Sequence, residues 1–65
     1  MNITLNGNSI EIESNQTVEQ MVRARGLDPE KIAIELNRRL LKSEKYSTEL
    51  KDGDEVEIVT FVGGG

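Results

Sequence analysis

An α+β fold, with a mixed sheet of four to five strands and one main helix packed across it, is predicted by three features of this 65-residue sequence. Alternating apolar residues flank an Asn-Gly pair near the start. A short run at helical spacing follows, between a capping pattern and a glycine. The segment from Glu55 onward is rich in β-branched residues and follows a turn signal.

Ile3-Thr4-Leu5 and Ile10-Glu11-Ile12 alternate on either side of Asn6-Gly7, which reads as a β-hairpin. Ile3, Leu5, Ile10 and Ile12 share one face, while Thr4, Glu11 and Glu13 face water. Thr17 and Gln20 have capping-box spacing, and Val18, Met21 and Val22 recur as one helical stripe. Gly26 suits a left-handed C-cap, with Leu27 closing back onto the helix. So short a helix depends on packing rather than propensity.

Asp28-Pro29-Glu30 is a turn, and Ile32, Ile34 and Leu36 then alternate in a third strand. Asn37-Arg38-Arg39 turns the chain into a brief strand at Leu40-Leu41. Residues 42–51 form a polar connection anchored by Tyr46 and Leu50. After the turn at Lys51-Asp52-Gly53-Asp54, a strand is expected from Glu55 to Val62, with Val56 and Ile58 inward and Val59 and Phe61 outward. The order strand, strand, helix, strand, strand, strand is that of a β-grasp domain over residues 1–62, followed by a glycine tail at 63–65.

Composition narrows the function. Cysteine and histidine are absent, which removes thiolate nucleophiles, imidazole bases and metal sites built on either. A chain this small buries roughly 60% of its unfolded surface, so a deep enclosed active site is not expected. Twelve acidic against eight basic residues give a net charge of −4, which argues against nucleic acid as a partner. No apolar run approaches the roughly 20 residues that span a bilayer. The start MNITLNGNSI reads neither as a basic leader nor as an apolar signal, so a soluble cytoplasmic protein is expected, monomeric on its own. Glu11, Glu13, Glu55 and Glu57 alternate along strands as solvated residues and not as a catalytic dyad.

The expected site is therefore the tail. Gly63, Gly64 and Gly65 form an arm of roughly 10 Å without side chains, which can enter a narrow channel. The reactive group is the Gly65 carboxylate, ionised at neutral pH and a poor electrophile until activated. Adenylation from ATP followed by sulfur attack would give a thiocarboxylate or a related acyl-sulfur species, with all of that chemistry belonging to partner enzymes. Val59 and Phe61, on a sheet face without a helix to cover it, are the expected partner contacts, and Leu41 is a lesser candidate for the same patch.

Asn2-Ile3-Thr4-Leu5-Asn6-Gly7, Leu36-Asn37, Leu50-Lys51-Asp52-Gly53-Asp54 and Val56-Glu57-Ile58-Val59-Thr60-Phe61-Val62-Gly63-Gly64-Gly65 together resemble the ThiS family of sulfur carriers for thiamine biosynthesis. The resemblance runs through essentially the whole length and implies a ubiquitin-like β-grasp protein that is not itself an enzyme. It implies that a ThiF-type adenylyltransferase, using ATP and magnesium, activates Gly65. A cysteine desulfurase or another donor then supplies sulfur, which passes to a ThiG-type thiazole synthase. It maps the slim penultimate position onto Gly64, with Gly63 extending the arm. Arg38-Arg39 departs from the glycine that relatives often carry in that hairpin, leaves the turn type open, and is read as a solvated turn outside the site. The alternatives are a related carrier such as the small subunit of molybdopterin synthase, or an interaction module with an inert tail. Loss of Gly64 and Gly65 separates the last from the carriers.

Overall fold

Asn6 and Gly7 both adopt positive φ, 49° and 83°, the type I′ geometry that matches the twist of a two-residue hairpin. They join β1 (Asn2–Leu5) to β2 (Asn8–Glu11) in the computed structural model, which describes residues 1–61. The register sets Ile3 opposite Ile10, and because side chains alternate, Ile3 and Leu5 fall on one buried face. Ile10 and Ile12 pack half-buried against the same core.

The helix α1 (Val18–Ala24) begins with the expected reciprocal cap. Thr17 Oγ1 accepts from the Gln20 N–H at 3.1 Å, and Gln20 Oε1 accepts from the Thr17 N–H at 2.9 Å. It ends in a Schellman motif: Gly26, at φ 77°, donates to the Arg23 carbonyl, and Leu27 donates to that of Val22. Leu27 packs on the core, as the sequence predicts. Seven residues are too few to hold a helix in water, and the buried stripe of Val18, Met21 and Val22 supplies what propensity cannot.

The polar connection is anchored by Tyr46 and Leu50, both buried. Its carbonyls serve the helix start, since Thr48 O accepts from the Val18 N–H and Tyr46 O from the Glu19 N–H, each at 2.9 Å.

β3 (Ile32–Leu36), β4 (Arg39–Leu41) and β5 (Glu55–Thr60) complete a five-stranded sheet of order β2-β1-β5-β3-β4. β5 runs parallel to β1 and antiparallel to β3, so the last strand is the central one. It stops at Thr60 rather than at the expected Val62, which lies outside the described residues, although Phe61 still donates to Lys31 O at 3.0 Å. Helix α1 covers one face, and the expected β-grasp architecture is the observed one.

Asn37 and Arg38 make a second type I′ turn, with φ of 53° and 69°, and Arg39 already belongs to β4 instead of the turn. This settles the turn type that the sequence left open. Arg38 thus occupies a position where glycine is free of strain. Its ion pair with Glu55 is exposed and 3.5 Å long, and contributes little. Arg38→Gly should therefore stabilise the protein by about 1 kcal/mol. Thermal melting followed by circular dichroism should show a rise of about 4–8 °C, and an unchanged or lower midpoint would refute the strain argument.

Candidate functional site on the open face of the sheet

Because strand side chains alternate, Val56 and Ile58 of β5 point to the helix, while Glu55, Glu57, Val59 and Phe61 fall on the opposite face. The register brings Ala33 of β3 beside Val59, Glu35 beside Glu57, and Leu40 of β4 beside Glu35. Leu40, Val59 and Phe61 remain 68%, 62% and 57% exposed, the large apolar side chains left to solvent among the described residues. A shallow hollow of about 150 Å³ lies beside Leu40 and Val59, lined also by Ala33, Ile34, Glu35 and Glu57. A neighbouring hollow of about 260 Å³ is lined by Thr4, Glu35, Arg38, Glu55 and Glu57. The face thus pairs an apolar patch with three carboxylates and one guanidinium.

Val59 and Phe61 stand where the sequence places them, on this open face. Leu41 does not join them: it is half-buried and packs on the core. The two-residue turn pairs Leu36 with Arg39, which sets Leu41 opposite Ile34 on the helix side and leaves Leu40 outward. Leu40 is the member of the patch that sequence reasoning missed, and counting back across a two-residue turn would have found it. Gly63, Gly64 and Gly65 lie outside the described residues, just past the patch in sequence.

Polar groups hold β5 in register on both sides. The Asn6 side chain accepts from the Ile58 N–H at 2.7 Å and donates to the Ile58 carbonyl at 3.2 Å. Asn37 Oδ1 accepts from the Glu55 N–H at 2.9 Å, and its Nδ2 donates to Asp54 Oδ1 at 3.0 Å. Asp54 Oδ2 in turn accepts from the Lys51 N–H at 2.8 Å, closing the turn that leads into β5. Among the described residues no cluster of three His, Cys, Asp or Glu side chains has the geometry to hold a metal ion. No helix among them is long and apolar enough to cross a membrane.

One helix across a five-stranded mixed sheet, with an exposed apolar patch on the open face of its central strand, defines a ubiquitin-like β-grasp protein. Residues 3–65 match the ThiS family, and the chain belongs to that family. It is 32% identical to the sulfur carrier protein ThiS of Bacillus subtilis, across 97% of this chain and 98% of that protein. The crystal structure of the thiamine biosynthesis protein ThiS from Geobacter metallireducens superposes with a TM-score of 0.82, at 35% identity over all of both chains. A thiazole synthase of Paramagnetospirillum magneticum is 35% identical across the whole of this chain, which spans only 20% of that protein's length.

Proposed function

We propose that this chain is a sulfur carrier for thiazole formation in thiamine biosynthesis, acted on by partner enzymes rather than catalytic itself. The observation that carries the reading is the similarity to the Bacillus subtilis carrier, which extends along nearly the whole of both proteins. In this reading an oxygen of the Gly65 carboxylate attacks the α-phosphorus of ATP on a ThiF-type enzyme, with magnesium neutralising the phosphates, and pyrophosphate leaves. A persulfide sulfur from a cysteine desulfurase or an equivalent donor then attacks the acyl carbon and AMP leaves, giving an acyl disulfide. A partner thiol cleaves its S–S bond by attacking the donor-side sulfur, forming a new disulfide and releasing the thiocarboxylate. The resulting thiocarboxylate hands its sulfur to a thiazole synthase. Gly63 and Gly64 keep the approach to that carbon free of side chains. Similarity to a thiazole synthase supports this acceptor over the molybdopterin-type alternative. A cytoplasmic setting fits a reaction that draws on ATP.

Incubation with a ThiF-type enzyme, ATP, magnesium and a cysteine desulfurase, followed by intact-mass measurement, tests the proposal. Replacement of one oxygen by sulfur, localised to Gly65, is the expected result. An unchanged mass beside an active control carrier would favour the interaction module.

The open face should dock the activating enzyme. Leu40→Ala and Phe61→Ala each remove exposed apolar surface, so each should change stability by less than about 0.5 kcal/mol. Each should weaken binding to the ThiF-type enzyme by about tenfold, as expected for an apolar anchor near an interface centre. Isothermal titration with both variants checks this, and unaltered affinity with an intact fold would remove the patch from the site.

A further inference from the structure

We infer that Asn6 is a deamidation site held shut by the fold, and that its conversion irreversibly loosens the central strand. Of the asparagines at positions 2, 6, 8, 15 and 37, Asn6 alone precedes a glycine. In such a pair the Gly7 backbone nitrogen, unshielded by any side chain, can attack Cγ of Asn6. A C–N bond forms, the side-chain nitrogen leaves as ammonia, and the cyclic imide is opened by water to aspartate or isoaspartate. Deprotonation of the attacking amide makes the reaction faster as pH rises.

The native structure opposes this attack. The Asn6 carboxamide is tied at both ends to the backbone of Ile58, through Oδ1 at 2.7 Å and Nδ2 at 3.2 Å. The Asn6 N–H donates to Val56 O at 2.9 Å. Both side-chain bonds oppose the rotation that would bring Cγ to the Gly7 nitrogen, so reaction waits on release of the Asn6 side chain from β5. The orientation of the amide follows from its partners, because reversing it would set carbonyl against carbonyl and N–H against N–H.

The product cannot restore the clamp. An aspartate has no donor at neutral pH, and one of its oxygens would face the Ile58 carbonyl in place of the lost N–H. Isoaspartate also lengthens the backbone at the turn and disturbs the register. Either change falls on β5, the strand that presents Val59 on the docking face. The inference stands independently of the carrier reading.

The test incubates the full chain at mildly alkaline pH in buffer and in concentrated guanidinium, with Asn6 conversion followed by peptide mass and isoaspartate detection. Conversion should be at least about tenfold slower in buffer, because only the open fraction reacts. Comparable rates in the two solutions, or preferential conversion of another asparagine in denaturant, would overturn the proposal. Asn6→Asp, made directly, should lower the melting midpoint by at least about 4 °C. A midpoint equal to that of the original chain would overturn the loosening.

Discussion

Removal of Gly64 and Gly65 should leave a chain that melts like the full-length protein and takes up no detectable sulfur. Stability should persist because every side chain of the buried cluster lies between Ile3 and Ile58. Sulfur loading should fail because the truncated chain presents the Gly63 carboxylate about 7 Å short of the original reactive carbon. Misplacement by even 1 Å can cost about a hundredfold in rate, and a shortfall of two residues withdraws the group from the activating site altogether. Binding through the open face should survive, so the shortened chain should compete with the full one for the ThiF-type enzyme. Calorimetry of both chains, with intact mass after the loading reaction, gives the comparison. Sulfur uptake by the shortened chain would end the carrier reading.

The largest expected effect on folding is that of Ile34→Ala. Ile34 is fully buried in β3, opposite Ile58 on one side and Leu41 on the other. Truncation removes apolar atoms and leaves a void that a sheet fixed on both flanks cannot close, at a cost of about 3–4 kcal/mol. A single small core seldom supplies more than about 3–5 kcal/mol in total. Ile34→Ala should therefore be largely unfolded at physiological temperature, with sulfur loading reduced in step with its folded fraction. Ile34→Val, costing about 1 kcal/mol, should fold and melt about 4–8 °C lower. A melting midpoint for Ile34→Ala within a few degrees of the parent would show that Ile34 is not the central packing element.

Much of the fold is legible in the chain because the relevant forces are local. Asn6-Gly7 specifies a type I′ turn by its tolerance of positive φ, and Thr17 with Gln20 specifies the helix start. Gly26 specifies the helix end, and the alternation of Ile32, Ile34 and Leu36 and of Val56 and Ile58 specifies which faces are buried. The same alternation places Val59 and Phe61 on the bare face. Its limit shows at Leu40-Leu41, where two consecutive apolar residues fit either face and only pairing with β3 decides between them.

Local sequence determined the hairpins, the capped helix, the alternation of strand faces and the glycine-rich end. Tertiary structure alone decided that β5 lies between β1 and β3, that Leu40 and not Leu41 completes the exposed patch, and that Asn6 and Asn37 clamp the central strand. The physical reason is one of range. Turns, caps and side-chain alternation depend on neighbours within a few residues. Strand order and the carboxamide clamps depend on partners 17 to 52 positions away, which meet only when the helix and sheet close on a common core.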